Sequence, residues 1–356
     1  MKMLLKTKYE KIFVYCPAHT VTGGPDALHQ LTFYLNLIGC DAEIVYFIRS
    51  VKNEVFIPEP YQKYVTSFRL EEDVCDDPRN AVIIPEFAVE KAKKFKKSKV
   101  FIWWLSVDNN RNRRSFFWKF FYFATLPSRI VVNFDYYKSH FVEAIKKTIS
   151  AEAYSFVDEQ SNIEHMCASF YAYRYVKSKT KNYVHLCIEP ISKIFLEKFE
   201  ELRKCHFVDA NRSNEILYNP KKSGVFVKKI AKKNADLKFI PLEGLNQKEL
   251  IEKYKSAKLY IDFGPFPGAE RMPKEAVLFG CAVITGRNGA SSIYEDVPIP
   301  DSYKFESESK YIPDIVKKIE DVLDNFEQIK KDFDVYRKTV LDLETRFVES
   351  LKGLFV

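Results

Sequence analysis

Residues 262–276 form the segment most informative about chemistry, because charged side chains follow a Gly/Pro-rich loop at the end of a predicted strand. Glycine and proline punctuate a loop that follows an apolar strand, and Pro273 then stands near the start of a helix, where proline is well tolerated. Glu275 is expected in the first turn of this helix, where the helix dipole favours a carboxylate that can also face a ligand. The simpler alternative makes Glu275 a helix-start acid and Glu270 with Arg271 an exposed ion pair. The candidate ligand-binding residues of this segment are Gly268, Glu270, Arg271 and Glu275.

A second polar loop follows directly along the chain. Residues 281–285 are apolar and are predicted to form a buried strand, and residues 286–292 continue as a glycine-bearing polar loop at its carboxyl end. Backbone N–H groups of such a loop can surround a phosphate. The candidate residues here are Asn288, Gly289 and Ser291.

A third loop, residues 17–26, follows the first predicted strand and leads into a helix. Its paired glycines, Gly23 and Gly24, let backbone N–H groups approach a ligand, and a helix N-terminus favours anions. A tight strand-to-helix turn explains the same residues equally well, and the G-x-G-x-x-G spacing of nicotinamide dinucleotide sites is missing. His19 in this loop and Asp108 at the end of a later strand are candidate general bases for an acceptor hydroxyl, although a lone loop histidine is more often structural or exposed.

Strands must alternate with helices to bring these loops to one edge of a sheet. Apolar, β-rich runs recur with helical patterns between them, which predicts parallel, doubly wound sheets. After residue 302 no further strand is expected, and residues 311–354 are predicted to be helical. The predicted strands cover residues 11–16, 43–47, 81–85, 100–104, 129–132, 163–168 and 183–187 in the first half and 215–218, 237–241, 259–263 and 281–285 in the second. Ligands of such sheets bind just outside the carboxyl ends of the strands, where all three loops lie.

Length and composition suit a two-domain globular chain and argue against disordered, secreted and nucleic-acid-binding classes. The 356 residues are 46% hydrophobic, and the net charge of +8 is spread along the chain. The cysteines are odd in number and form no C-x-x-C pair, which argues for a reducing compartment. Neither a signal-peptide core nor an apolar run of about 20 residues is evident. We therefore expect a cytoplasmic protein.

Two further segments suggest specific functions. Asp332 and Asp334 have the D-x-D spacing that some transferases use for Mg²⁺, but they lie in the predicted terminal helix. We interpret them as surface charge and expect neither a metal nor another cofactor. From Arg111 to Phe123, three arginines precede an almost entirely aromatic run, which suits a peripheral helix on anionic lipid. A buried helix at a domain edge would have a similar composition.

The stretch of residues 275–284 resembles the donor-site element of retaining glycosyltransferases of the GT-B fold. In that family a Glu-Ala pair opens a helix that ends at a glycine and leads into an apolar strand, as residues 275–280 do here. The loop at residues 17–26 resembles the glycine loop in the N-terminal domain of the same superfamily. Residues 103–109 and 263–300 are similar to an uncharacterised bacterial branch labelled glycosyltransferase-like.

The resemblance implies an α/β chain of GT-B type. Two Rossmann-like domains would present parallel sheets across a cleft, with C-terminal helices after them. The expected boundaries are residues 1–200 for the acceptor-side domain, 201–310 for the donor-binding domain and 311–356 for helices that pack across both. The stretch of residues 189–214 is more polar than its neighbours and is the expected connection between domains.

The resemblance also implies roles for individual residues. Glu275 would accept hydrogen bonds from the ribose hydroxyls of a donor nucleotide. Lys221 and Lys222 would correspond to the basic pair that holds the diphosphate, and two cations suit the charge that grows on this leaving group. A solvated start to a lysine-rich helix is the alternative for this pair. The second glutamate of the family, eight residues earlier, is Pro267 here. Either the loop is rebuilt or the donor sugar is recognised differently, and the stereochemical outcome is left open.

The expected reaction is transfer of a sugar from a nucleoside-diphosphate sugar to a saccharide or lipid-linked acceptor. It would need no metal and would serve synthesis of a bacterial capsule or lipopolysaccharide at the inner face of the membrane. Two alternatives remain open: a sugar-nucleotide epimerase or phosphosugar transferase on the same fold, and a non-catalytic sugar-nucleotide-binding scaffold. Pro267 in place of the glutamate favours the scaffold.

Overall fold

The computed structural model describes residues 6–47, 55–111, 154–157, 159–204 and 212–356. The chain divides into two compact units. The first consists of Met1–Ala168, Ala172–Cys187 and Val348–Val356, and the second of Ser169–Tyr171 and Ile188–Phe347.

Within the described residues, the first unit holds a parallel sheet of seven strands in the order β3-β2-β1-β4-β5-β6-β7. The strands are β1 (Ile12–Pro17), β2 (Ala42–Phe47), β3 (Arg69–Leu70), β4 (Ala81–Pro85), β5 (Lys99–Trp104), β6 (Ile163–Cys167) and β7 (Val184–Leu186). The helices in this part of the chain are α1 (Gly23–Leu37), α2 (Val107–Arg111) and α3 (Phe170–Lys177), whose first two residues, Phe170 and Tyr171, belong to the second unit. Every residue of β1 and β4 is buried, as expected for strands covered on both faces.

The second unit is built on a parallel sheet of five strands in the order β12-β11-β10-β8-β9. The strands are β8 (Ser213–Tyr218), β9 (Lys238–Pro241), β10 (Ala257–Asp262), β11 (Ala282–Gly286) and β12 (Lys304–Phe305). The helices are α4 (Lys193–Lys204), α5 (Pro220–Lys233), α6 (Gln247–Ser256), α7 (Arg271–Leu278), α8 (Ile312–Asp324), α9 (Phe326–Ile329) and α10 (Asp334–Phe355), whose residues from Val348 onward belong to the first unit. One hydrophobic core of this unit joins the central strands to helices α4 to α10.

The local sequence explains where two of these helices begin. Asn219 precedes α5, and its side chain accepts a hydrogen bond from the N–H of Lys221 at 3.0 Å, while Pro220 takes the first helical position. Asn246 and Glu249 form a reciprocal capping box at the start of α6, with bonds of 3.0 and 2.7 Å. Both helices therefore start directly after short polar turns.

The two parallel sheets and the C-terminal helices confirm the predicted fold class, and the elements differ from prediction in three places. Helix α7 begins at Arg271, so Glu275 lies in the second turn and the first-turn dipole argument for it is wrong. The expectation of no strand after residue 302 is also wrong, because β12 pairs with β11. Helix α4 occupies much of the stretch expected to be a connection. The predicted strand at residues 129–132 lies outside the described residues.

Candidate functional site

The loops that follow β8, β10, β11 and β12 pack together at the carboxyl end of the second sheet. Gly289 has a positive φ of 56°, and a Cβ there would collide with the backbone oxygen of Phe266. A Cβ on Gly264 would lie 2.7 Å from the Cβ of Lys222. The absence of a side chain at these two positions therefore permits the close approach of the loops after β10 and β11 to each other and to the start of α5.

Asn288 and Ser291 hold these loops in place. The Asn288 amide donates to the carbonyl oxygens of Phe263 and Gly264 at 3.3 and 3.2 Å and to the Ser307 hydroxyl at 2.9 Å. The Ser291 hydroxyl accepts from the N–H of Asn288 at 3.0 Å and lies 2.5 Å from the Gly286 oxygen. Both side chains are thus engaged in loop packing, and a direct role in ligand binding stays a prediction.

Lys222 and Glu270 form an ion pair between the first turn of α5 and the loop that precedes α7. Glu270 is the residue before α7, yet its carboxylate binds the ammonium group of Lys222 and makes no side-chain bond to the helix start. Lys221 is exposed, whereas Gly268 is buried and Arg271 is half-buried. The structure therefore brings Lys222 and Glu270 together and gives Glu270 a partner 48 positions away in the sequence.

Glu275 lies in the second turn of α7 and is nearly buried, with 6% of its surface exposed. The hydroxyl of Tyr254 in α6 donates to Oε2 of Glu275 at 3.3 Å. Burial, reinforced by the negative charge of Glu275, raises the pKa of Tyr254 well above its usual range, so the phenol stays protonated and can always donate.

Asp262 is a buried carboxylate at the carboxyl end of β10. Its Oδ1 accepts the N–H of Gly264 at 2.9 Å, and its Oδ2 accepts the hydroxyl of Tyr260 at 3.1 Å. Burial raises the pKa of Asp262 to about 6, although the charge of Lys222 opposes this shift. Sequence reasoning missed Asp262, although its place at the end of a predicted strand was a usable signal. It also missed Tyr254, for which the sequence holds no comparable signal.

Lys274 and Asp296 lie together next to the site and line a small pocket with Tyr336 of α10. Burial lowers the pKa of Lys274, whereas the nearby carboxylates of Glu189 and Asp296 favour its charged form. Asp296 accepts the N–H groups of the first two residues of α3 at 2.7 and 2.8 Å. Burial raises the pKa of Asp296, against the opposing effect of these two hydrogen bonds.

The remaining predicted residues lie in the first unit. Gly23 and Gly24 are the first two residues of α1, and Asp108 is the second residue of α2. His19 is exposed, adopts a positive φ of 57° and contacts the ring of Phe56 edge-on at 5.2 Å. Gly23 and Gly24, which were expected among the donor-binding residues, thus lie with His19 and Asp108 in the first unit, whereas the other donor-binding candidates lie in the second.

His29 braces the start of α1, a role that sequence reasoning missed. Its Nδ1–H donates to the Pro25 oxygen at 2.6 Å, and its Nε2 accepts from the Tyr46 hydroxyl at 2.7 Å. The ring stacks on Tyr61 at 4.2 Å, and Tyr61 exchanges two 3.0 Å bonds with the backbone of Thr22. Burial lowers the pKa of His29 to about 4, so the ring is neutral at physiological pH.

The two segments with suggested special functions are only partly described. Asp332 accepts a hydrogen bond from the Tyr303 hydroxyl at 2.5 Å, and Asp334 pairs with Arg337 at 2.6 Å at the start of α10. Across the described ranges, no three acidic, histidine or cysteine side chains form a metal-binding group, and no helix has the length and apolarity to cross a bilayer. The aromatic run up to Phe123 lies outside the described residues, apart from the backbone of Arg111.

The sequence matches no family model. It also matches no curated protein. Solved structures are similar over nearly the whole chain. HepE of Anabaena in complex with UDP-glucose is 10% identical with a TM-score of 0.51, and the match covers 97% of each chain. The N-terminal domain of a Candida albicans trehalose-6-phosphate phosphatase is 10% identical with a TM-score of 0.54, and the match covers 99% of this chain and 97% of that one.

The chain has the GT-B fold. At these identities the likeness extends to the fold alone. Within the GT-B fold, the loop cluster above the five-stranded sheet stands at the carboxyl ends of parallel strands, where open α/β sheets bind their ligands.

Proposed function

We propose that this GT-B chain is a glycosyltransferase that moves a sugar from a nucleoside-diphosphate sugar to a saccharide or lipid-linked acceptor. The observation that carries the proposal is the group of Lys222, Glu270 and Asp262 at the carboxyl end of the second sheet, where the Lys222–Glu270 ion pair lies near the buried Asp262 carboxylate. HepE, which shares the fold, was solved with UDP-glucose bound. The proposed setting is synthesis of a bacterial capsule or lipopolysaccharide.

The donor nucleotide would bind the second unit. Glu275 would accept the ribose hydroxyls, and Lys221 and Lys222 would bind the diphosphate. Because Glu270 already neutralises the ammonium group of Lys222, an incoming diphosphate competes with this carboxylate. The released Glu270 would then face the hydroxyl-rich sugar, to which a carboxylate is a good acceptor. Gly268, Gly289 and Arg271 would complete the site with backbone and guanidinium donors.

The acceptor would bind the first unit, where His19 and Asp108 are the proposed general bases. A general base takes the proton from the acceptor hydroxyl as the bond to the sugar forms, while the diphosphate leaves with the charge that cations stabilise. We propose that this needs no metal or other cofactor. The segment from Arg111 to Phe123 is the proposed contact with anionic lipid at the cytoplasmic face.

The proposal is tested first by a thermal-shift screen against UDP, GDP, CMP and dTDP and their common sugars. One nucleotide family should raise the melting temperature. The Glu275→Ala variant should weaken binding of that nucleotide by about 1–3 kcal/mol, the range for lost hydrogen bonds to a charged group. Glu252→Ala is the matched control, because Glu252 is exposed on α6 and pairs with Lys255 three residues along the same helix.

Unchanged affinity in a folded Glu275→Ala protein would remove the donor-site assignment. Turnover is then measured by product analysis with saccharide acceptors. An epimerase would convert the sugar nucleotide without any acceptor, whereas a scaffold would bind it without turnover. Either result would replace the transferase proposal.

A further inference from the structure

Tyr254 and Glu275 form a buried pair that joins helices α6 and α7. Tyr254 stands in α6 and Glu275 in α7, and the phenol hydroxyl lies 3.3 Å from Oε2 of the carboxylate. The tyrosine is fully buried and the glutamate nearly so. A hydrogen bond between two buried groups fixes the side chains more firmly than a solvent-exposed bond, because no water competes for them.

The tyrosine ring itself has little freedom to move. It stacks on Phe279 with an interplanar angle of 10° and meets Tyr260 edge-on at 6.3 Å. The backbone oxygen of Tyr254 is also held, because the Arg212 guanidinium donates to it at 3.0 Å. Tyr254 is therefore a rigid donor to the Glu275 carboxylate.

Tyr260 provides an internal comparison. It has the same residue type, the same complete burial and an analogous bond, but its hydroxyl donates to Asp262 and not to Glu275. Each of two neighbouring carboxylates thus has its own buried tyrosine. Removal of one hydroxyl at a time separates the effect on Glu275 from a general effect of loosening this core.

We infer that Tyr254 is a positioning residue that orients Glu275 toward the ribose hydroxyls and so makes the site prefer ribonucleotides to 2′- and 3′-deoxynucleotides. The inference rests on the proposed function, because it assigns the ribose to Glu275. A carboxylate whose direction is fixed can accept the vicinal hydroxyls without first losing side-chain freedom. A freely rotating Glu275 would lose most of this preference.

The test is a calorimetric titration with UDP, GDP and the 2′-deoxy and 3′-deoxy forms of each. The wild-type protein should bind one ribonucleotide about tenfold more tightly than its deoxy forms, the effect of about one charge-assisted hydrogen bond. In Tyr254→Phe the ribonucleotide should bind at most about threefold more tightly than its deoxy forms, while affinity for the deoxy forms stays unchanged. Tyr260→Phe, the matched control, should keep the wild-type ratio.

The possible outcomes separate the inference from the proposed function. If the wild-type protein binds none of the nucleotides, or binds ribo and deoxy forms equally, the ribose assignment of Glu275 fails. If it discriminates and Tyr254→Phe discriminates equally well, the inference alone is overturned. Equal losses in Tyr254→Phe and Tyr260→Phe would also overturn it, since the effect would belong to the core. If Tyr254→Phe does not fold, Glu275→Asp takes its place, because the shorter side chain no longer reaches the Tyr254 hydroxyl. For the inference to stand, the preference of this variant for ribonucleotides must fall to the same extent.

Discussion

At the scale of single residues, the stability of the start of α1 depends on the protonation state of His29. The ring is neutral, fully buried and bonded at both nitrogens. A proton added to Nε2 would break the bond from Tyr46 and place an uncompensated charge in the core. The helix start that carries Gly23 and Gly24 therefore depends on a group that must remain neutral.

The depressed pKa of His29, about 4 against a usual 6.5, predicts a specific loss of stability in acid. The unfolded chain binds this proton more readily than the folded chain. The stabilising contribution is therefore complete above pH 6.5 and is lost as the pH falls from there through about 4, with a total on the order of 2–3 kcal/mol. Urea unfolding between pH 8 and pH 4 measures this slope.

Two variants isolate the slope from the other titrating groups of the chain. His29→Gln should have a lower free energy of unfolding than the wild type at neutral pH. Its free energy of unfolding should also fall less steeply as the pH is lowered. His19→Gln replaces an exposed histidine of the same unit and should leave the slope as it is. Identical slopes in wild type and His29→Gln would show that His29 is not the group responsible.

At the scale of elements, the loops after β10 and β11 are joined through Gly289 and Asn288. The Asn288 amide reaches two carbonyl groups and one hydroxyl on neighbouring loops. Gly289 lies directly against the backbone of Phe266. The N–H of the next residue, Ala290, donates to the Phe266 oxygen at 2.9 Å. Because the obstacle at Gly289 is backbone, a side-chain rotation cannot relieve a new contact there.

Gly289→Ala should therefore lower the free energy of unfolding by about 1–3 kcal/mol, from the left-handed backbone conformation and the collision together. The same change should weaken nucleotide binding, since it moves the loops of the proposed site. Gly224→Ala is the control, because Gly224 lies inside α5 and its new Cβ would meet Pro220 at an ordinary 3.7 Å. That variant should gain about 0.5–1 kcal/mol. Equal stability of the two variants in urea titrations would contradict the loop packing.

At the scale of the whole molecule, the two compact units each have their own parallel sheet. The proposed donor site belongs entirely to the second unit. A ligand that binds only the folded form should stabilise the part of the chain that contacts it by about 2.7 kcal/mol at a hundred times its Kd. The first unit should show its own response only to the acceptor.

Hydrogen exchange with a saturating nucleotide should therefore slow at residues 219–224, 263–276 and 286–292. The amides of residues 17–26 should respond only when an acceptor is also present. Mass spectrometry of peptic fragments measures both sets in one experiment, and the Glu275→Ala protein serves as the control with weakened binding. Protection confined to residues 17–26 would place the nucleotide in the first unit and contradict the donor-site proposal.

Much of the fold was predictable because its signals are local. Continuous apolar runs predicted β1, β4 and β5 within one or two residues, since strands buried on both faces have no polar alternation. Two-residue strands such as β3 and β12 are too short to leave such a pattern. The start of α7 was misplaced because proline is tolerated at several first-turn positions, so Pro273 does not mark one of them.

The sequence by itself determined the two parallel sheets, the loops at their carboxyl ends, the presence of Asn288 in one of those loops, and Lys222 and Glu275 near the starts of the helices that follow two others. Only the tertiary structure decided what these side chains contact. Tyr254 reaches Glu275 across 21 positions and Lys222 reaches Glu270 across 48. Helical and strand periodicity arise from neighbours a few residues apart, whereas such pairings depend on how helices pack on the sheet. The hydrophobic periodicity of one sequence therefore does not indicate which distant side chains will meet.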